Sequence, residues 1–186
     1  MIDVKNIISK VKSKFTNENR LIHTLNVAKK TQELIIQHDL EVNLQKAYVA
    51  GLLHDYAKEE TFERFREIVQ KYNLDESILQ QPFSILHALL GPYIIKEELD
   101  FEDEEIFQAI TYHPIGHSNM SLLDEVLFLA DFISDDRTYD ICIEVREIAK
   151  KNFSKAVAKK LEYLVTNIPN PHQETIKAYE KYKQYL

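Results

Sequence analysis

Apolar residues recur along this chain every three or four positions, which is the period of an amphipathic helix. The spacing predicts a short first helix, with Ile7 and Val11 on one face, and a longer second helix that begins after an Asn17 cap. Ser121 and Asp124 have the form of a capping box at the start of a later helix. The same period predicts further helices over residues 61–71, 84–98, 103–113, 121–133, 140–150, 153–166 and 172–184.

Residues 44–58 show a different pattern, because they are apolar on nearly every side. A helix of this kind lies in the middle of a bundle. Three Gly and five Pro among 186 residues leave little material for β-turns. The chain is therefore predicted to be all-α, a single-domain helical bundle over residues 1–186. We expect its core motif region at about 18–137, with the C-terminal helices of residues 140–184 packed on it.

The charge balance limits the partners of such a bundle. With 23 basic and 30 acidic residues the net charge is -7, which argues against unaided binding to nucleic acid or to an anionic membrane. The single cysteine, Cys142, excludes a disulfide framework and suits a reducing cytosol. No apolar run approaches the roughly 20 residues of a membrane span, and the N-terminus lacks the features of a secretory signal. We expect a cytoplasmic protein that supplies positive charge to anions locally, for example through metal ions.

His54 and Asp55 stand in the most apolar of the predicted helices. A buried carboxylate beside a buried imidazole is costly unless something pairs with it. On a helix, Gly51 and Lys58 would share one face with this pair. Gly51 would let another backbone or a ligand come close, and Lys58 would add a cation. The alternative is a core histidine hydrogen-bonded to an aspartate, with Lys58 extending to water.

Further polar residues stand among apolar neighbours on other predicted helices: His23, His87, His113 and Asp131. For His23 alone core packing is the better interpretation, and His87 or His113 alone is equally compatible with core packing and with function. An aspartate at such a position is almost never left unpaired. Bundle interiors build metal sites by converging side chains from facing helices. Because the set contains His and Asp without Cys, it favours a borderline or hard divalent metal, or iron, over a structural zinc cage.

The order of these residues, a His, then His-Asp, then Asp, resembles the HD-domain metal-dependent phosphohydrolases. The narrower resemblance is to the YqeK-type symmetrical bis(5'-nucleosyl)-tetraphosphatases, the diadenosine tetraphosphate hydrolases, and it covers nearly the whole chain. It rests on Arg20-x-x-His23, AGLLHDYAK at 50–58, His87, AITYH at 109–113, MSLL at 120–123, LADFI at 129–133, Arg137 and, weakly, residues 175–179.

Three positions depart from the pattern of that family. Ala88 stands where Gly is usual, Pro114 where Thr is usual, and Ser134-Asp135-Asp136 where Glu and Pro are common. None of these departures removes a ligand. They bear on the shape of the phosphate pocket and on substrate preference.

The resemblance implies an HD-type bundle with a metal site in its interior. The implied cofactor is one or two ions of a divalent or trivalent transition metal, with iron favoured. The implied metal ligands are His23, His54, Asp55 and Asp131, with Asp55 best placed to bridge two ions. The implied catalytic residues are Asp55, Lys58, His87 and His113. The implied substrate-binding residues are Arg20, Lys58, His87, His113 and Arg137.

The implied reaction is hydrolysis of a dinucleoside tetraphosphate to two nucleoside diphosphates. His87 and His113 would ligate a second metal, bind phosphate or protonate the leaving group, and the sequence leaves these roles open. Two alternative hypotheses remain open. The protein is another HD-domain nucleotide hydrolase, such as a nucleotidase or a cyclic-dinucleotide phosphodiesterase, or it is a noncatalytic nucleotide- or metal-binding regulator. The expected partner is a small-molecule nucleotide, with no nucleic acid and no membrane, and the sequence leaves a homodimer open.

Overall fold

The computed structural model describes residues 2–186, and these residues form helices without any strand. The prediction of an all-α fold is confirmed. The α-helices are α1 (Val4–Lys14), α2 (Glu18–His38), α3 (Leu44–Leu53), α4 (Phe62–Lys71), α5 (Phe83–Leu99), α6 (Glu104–Tyr112), α7 (Leu122–Ile133), α8 (Asp140–Ala149), α9 (Phe153–Asn167) and α10 (Gln173–Tyr182). Short 3-10 turns at Glu76–Gln80 and Lys183–Tyr185 were not predicted.

The helix starts follow the local capping signals of the sequence. The Asn17 side chain accepts hydrogen bonds from the backbone N–H groups of Asn19 and Arg20 at the start of α2. At the start of α7, Ser121 and Asp124 form the predicted capping box, each side chain accepting a backbone N–H of the other. These bonds satisfy N–H groups that have no partner within the helix itself.

Helix α3 lies against α2 at the centre of the bundle, and α7 packs on α2, α3, α6 and α9. Gly51 is required at the α2–α3 crossing, because a Cβ atom there would lie 2.5 Å from the Cα of Ala28. Of the two uses expected for Gly51, close approach of another backbone is therefore the one that the fold displays. A larger residue would push apart the two helices that carry His23 and His54.

The predicted helix over 44–58 is wrong beyond Leu53, where α3 ends. Residues 54–59 form successive turns instead, with the N–H of Tyr56 donating to the carbonyl of Leu53 over 3.0 Å. The His54 ring nitrogen Nδ1 lies 2.7 Å from the Gly51 carbonyl. That carbonyl would accept a hydrogen bond from the backbone N–H of Asp55 if the α-helix continued. The imidazole N–H of His54 therefore replaces the backbone N–H as the donor.

None of the helices within residues 2–186 is long and apolar enough to cross a membrane. The C-terminal helices form a layer in which α9 contacts α7, α8 and α10. Through α9, this layer packs beneath the helix that carries Asp131.

Candidate metal centre

Side chains from five parts of the chain converge in the interior of the bundle: His23 on α2, His54 and Asp55 after α3, His87 on α5, His113 after α6 and Asp131 on α7. The four histidines and Asp55 are buried, and the Asp131 side chain keeps 16% of its surface exposed. The four predicted metal ligands and the predicted catalytic residues His87 and His113 therefore lie in one cluster. Lys58, Arg20 and Arg137 line it as well.

His54 and His113 are positioned by the same local device. Each is the residue that follows the last helical residue, of α3 and α6 respectively, and each Nδ1 lies 2.7 Å from a backbone carbonyl three residues earlier, at Gly51 or Ile110. The Nδ1–H donates to that carbonyl, so Nε2 keeps its lone pair and faces the cluster. Two helix ends thus present two imidazole nitrogens to the same space.

His54 Nε2 is buried and has no hydrogen-bond partner among the described residues. It lies 3.8 Å from Asp55 Oδ2 and 3.9 Å from Asp131 Oδ1, too far for a hydrogen bond to either carboxylate. A buried polar atom without a partner is unusual in a folded protein. A cation between the nitrogen and the two carboxylates would satisfy all three, so this set of atoms fits a metal ion.

Two overlapping groups have ligand atoms within 4.8 Å of one another: His23, His54 and Asp131, and His54, Asp55 and His113. In the first group, His23 Nε2 lies 3.1 Å from Asp131 Oδ1. Imidazole nitrogen and carboxylate oxygen without thiolate suit a divalent transition metal. Because His54 belongs to both groups and has one free nitrogen, the two groups describe adjoining halves of one centre.

Asp55 lies between the two halves. Its Oδ1 is 3.0 Å from His87 Nε2 and 3.7 Å from His113 Nε2, while Oδ2 faces His54. Burial alone would raise the pKa of Asp55, but the nearby His54, His87 and Lys58 outweigh burial and hold it well below its usual range. The carboxylate is therefore ionised and has an oxygen on each side, as a bridging ligand requires.

Burial also sets the protonation of the histidines. It lowers the pKa of His54, and it lowers the pKa of His113 further, well below the usual value for imidazole. Both side chains are therefore neutral at neutral pH. A neutral imidazole is the form that binds a metal, so these residues need not release a proton first.

Three cations surround the cluster and remain partly exposed, with side-chain exposures of 28% for Arg20, 29% for Lys58 and 36% for Arg137. Arg20 Nη1 lies 3.1 Å from Asp55 Oδ2, and Lys58 Nζ lies 3.1 Å from His87 Nε2. On the other side, Arg137 Nη2 donates to Asp131 Oδ1 over 2.9 Å. An anion that approached the centre would meet positive charge on both sides.

Lys160 on α9 was not singled out from the sequence, and it is 2% exposed. Its ammonium donates to the carbonyls of His113 and Phe128 and lies 4.0 Å from Asp131 Oδ2. Burial lowers the pKa of Lys160 to about 8. The sequence does contain an indication that Lys160 is buried, because it shares a face of α9 with the apolar Ala156 and Leu164 at i-4 and i+4. That indication is weak, since a lysine on such a face usually extends to water.

Two cavities lie near residues of this region. One of about 460 Å³ includes Arg20 among its lining residues, together with the paired charges of Lys14 and Glu60. The other, of about 400 Å³, is mainly apolar and is lined by Pro114, which directly follows His113, and by Ser84, one turn before His87. The first cavity therefore reaches a cation of the centre, whereas the second is lined by sequence neighbours of His87 and His113 and not by the cluster residues themselves.

Comparison with known proteins gives a consistent set of matches. The HD domain family matches residues 20–136. The chain is 33% identical over 156 residues to the symmetrical bis(5'-nucleosyl)-tetraphosphatase of Halalkalibacterium halodurans, covering 84% of this chain and 82% of that protein. It is 32% identical over 152 residues to the protein of the same name from Bacillus subtilis, covering 82% and 80%.

Among solved structures, the chain is similar to a predicted HD superfamily hydrolase from Clostridium acetobutylicum that is described as involved in NAD metabolism. The TM-score is 0.85 at 26% sequence identity, and the match covers 100% of both chains. The helices of the C-terminal layer, which lie beyond residue 136, are therefore included in the structural similarity although the family match ends before them.

Proposed function

The chain belongs to the HD domain family, and we propose that within this family it hydrolyses dinucleoside tetraphosphates symmetrically. Diadenosine tetraphosphate and water would give two molecules of ADP. The observation that carries the proposal is the cluster of four histidines and two aspartates with cations on both sides. The names and the extent of similarity of the two bacterial tetraphosphatases support this substrate class.

We assign the metal ligands to His23, His54, Asp131 and Asp55, with Asp55 bridging to a second ion where one is present. When bound, the metal lowers the pKa of a water molecule and neutralises charge on the phosphoryl oxygens. We propose iron as the resident metal, because imidazole and carboxylate ligands suit it and no thiolate favours zinc or copper. His113 extends the ligand set on the Asp55 side, where its Nε2 belongs to the second group.

The cations have a separate role in this proposal. Arg20 lies against Asp55 and Arg137 against Asp131, so the two guanidinium groups stand on opposite halves of the centre. A tetraphosphate held by both would have its central bridge over the metal ligands. Lys58 binds the phosphate group whose phosphorus is attacked. Its ammonium lies 3.1 Å from His87 Nε2.

In the reaction, the water oxygen forms a bond to one β-phosphorus, and the bond from that phosphorus to the central bridging oxygen breaks. The departing oxygen takes up a proton, and we assign its donation to His87 on the Asp55 side. Each product then carries two phosphates. The apolar cavity beside Pro114 and Ser84 offers space for one of the two nucleosides. We place this reaction in the cytoplasm.

The test is the product pattern of the purified, metal-loaded protein. Incubation with diadenosine tetraphosphate should give ADP, with little AMP or ATP, when the products are separated by anion-exchange chromatography. ATP and AMP in equal amounts would place the attack at a terminal phosphate and contradict the proposal. Turnover of mononucleotides or cyclic dinucleotides without turnover of any dinucleoside polyphosphate would favour a different HD-domain hydrolase.

A further inference from the structure

A carboxylate outside the proposed ligand set lies against the outer nitrogen of His23. The His23 Nε2 atom faces the centre, 3.1 Å from Asp131 Oδ1, while Nδ1 faces away and lies 2.7 Å from Asp136 Oδ2. Asp136 follows α7 in the short segment before α8, five residues after Asp131. One histidine on α2 therefore connects two aspartates of the α7 region, one inside the cluster and one outside it.

The Asp136 carboxylate is itself fixed. Its other oxygen, Oδ1, accepts a hydrogen bond of 3.1 Å from Asn26 Nδ2, and Asn26 is one turn beyond His23 on α2. Among residues 2–186, no Lys or Arg forms an ion pair with Asp136. Its hydrogen-bond partners are His23 and Asn26 on α2 and the side chain of Ser134 in its own segment, and among the described residues it has no separate surface ion pair to explain its position.

The other two histidines with a fixed Nδ1 provide the comparison. His54 and His113 each donate Nδ1–H to a backbone carbonyl, which leaves Nε2 free toward the cluster. His23 meets the same requirement with a carboxylate. A charged acceptor forms a stronger hydrogen bond than a carbonyl and increases the electron density on the opposite nitrogen.

We propose that Asp136 is a positioning residue for the metal centre, acting through His23. It accepts the Nδ1–H of His23, fixes the tautomer that presents the Nε2 lone pair to the metal, and makes that nitrogen a stronger ligand. The proposal rests on the metal-binding role assigned to His23 and does not depend on which phosphate bond is cleaved. It also gives a role to the Asp136 position, where the chain departs from the common Glu and Pro of the family.

The adjacent Asp135 supplies a matched control. Its side chain is 59% exposed and its carboxylate lies 2.9 Å from Lys30 Nζ, with no contact to His23. Asp135→Ala and Asp136→Ala remove the same charge at neighbouring positions of the same segment. A difference between the two variants therefore reports the contact with His23 and not the net charge of the loop.

The experiment titrates the full-length, metal-stripped chain with Co²⁺ alone and follows the visible absorption of the bound ion. Asp136→Ala should bind Co²⁺ about 10–100-fold more weakly than the unchanged chain and with an altered spectrum. Asp136→Asn should recover much of the affinity, because its amide oxygen still accepts the Nδ1–H. Asp135→Ala should match the unchanged chain in affinity and in spectrum.

Equal Co²⁺ affinity and equal spectra for Asp136→Ala and Asp135→Ala would overturn the proposal. Circular dichroism melting of the metal-stripped variants shows whether each is folded. If Asp136→Ala does not fold, the comparison passes to Asp136→Asn and Asp135→Asn. Asp136→Asn keeps the acceptor but loses its charge, so it should bind Co²⁺ more weakly than the unchanged chain, though by less than is expected for Asp136→Ala, whereas Asp135→Asn should match the unchanged chain. Because no substrate enters the titration, its result is independent of the product assay, so failure of this proposal and failure of the proposed reaction are separable.

Discussion

Helix α7 has an aspartate near each end, and each aspartate lies close to a histidine. At the N-terminal end, Asp124 Oδ2 accepts from Gln108 Nε2 at 2.7 Å, from the N–H of Ser121 at 2.8 Å and from His117 Nε2 at 3.1 Å. At the C-terminal end, Asp131 lies among His23, His54 and Arg137, and the nearest nitrogen of His54 remains 3.9 Å away and unpartnered.

The difference between the two ends separates a structural contact from a candidate metal centre. A His–Asp contact occurs at both ends, so the contact by itself indicates no chemistry. Protein donors meet one oxygen of Asp124 from three directions, and only one histidine is present there. Each end has one buried atom without a hydrogen-bond partner among the described residues, Asp124 Oδ1 at one end and His54 Nε2 at the other, so an unpartnered atom alone does not separate the two ends. Around Asp131, however, several ligand atoms from different helices converge, which is the arrangement that a metal ion needs.

The largest effect should come from His54→Ala, which removes the unpartnered nitrogen at the Asp131 end. The unchanged protein should carry about one or two equivalents of metal by elemental analysis, and the variant should lose most of it. Turnover of diadenosine tetraphosphate should fall by about 10³-fold or more, because several kcal/mol of charge stabilisation are lost. His117→Ala is the matched control at the other end and should keep both metal and turnover. If the unchanged protein remains metal-free even after reconstitution with metal, the Asp131 end of α7 is not a metal centre and does not differ from the Asp124 end.

The next largest effect should come from Lys58→Ala, which removes a cation beside the centre and no proposed ligand. Metal content should be unchanged, and kcat should fall by about 10²-fold because a phosphate contact is lost. Lys46→Ala, which removes an ion pair with Asp103 on another surface, should leave kcat unchanged. Loss of metal together with folded structure in Lys58→Ala would mean that Lys58 serves the ion pairing of the core instead.

At the N-terminal end of α7 the expected effect is on stability. Asp124→Ala removes the capping box and leaves buried donors without an acceptor, at a cost of about 2 kcal/mol. The Tm from circular dichroism should fall by about 4–8 °C, while kcat at 20–25 °C and metal content stay unchanged. Asp135→Ala, an exposed aspartate, should not change Tm. A large loss of kcat without a change in Tm would place Asp124 in the reaction.

The smallest effect concerns pH in the metal-stripped protein. Burial lowers the folded-state pKa of His54, His87 and His113, so the unfolded chain binds protons first as pH falls below about 6.5. Stability from these residues is therefore present above that pH and is lost as pH falls through their folded pKa values. The pKa of His23 is raised, which has the opposite effect on stability, but His23 is one group against three.

The Tm of the metal-stripped protein should accordingly fall by a few degrees between pH 8 and pH 5, and less steeply in His54→Ala. Each pKa unit of difference corresponds to about 1.4 kcal/mol. The measurement is differential scanning calorimetry at several pH values with chelator present. A Tm that rises on acidification would show that the carboxylates keep these histidines protonated in the fold.

Much of the candidate site could be predicted from sequence, for a local reason. An aspartate such as Asp131 within an apolar helix conflicts with its own neighbours, and that conflict is visible without coordinates. The lysine at 160 shows the opposite case. Its position on the apolar face of α9 was equally visible, yet lysines on such faces normally reach water, and only the packing of α9 under α7 prevents this.

The sequence by itself determined the helices, their caps at Asn17 and Ser121, and the residue types available for a metal centre, because these depend on contacts within a few positions. The end of α3 at Leu53 is also a local matter, because the His54 ring takes the Gly51 carbonyl three residues earlier, although the apolar pattern does not record it. The tertiary structure alone decided two matters. It used Gly51 for the crossing with α2, and it brought Asp136 to the outer nitrogen of His23. Both depend on atoms that meet only when distant parts of the chain pack, which no local period records.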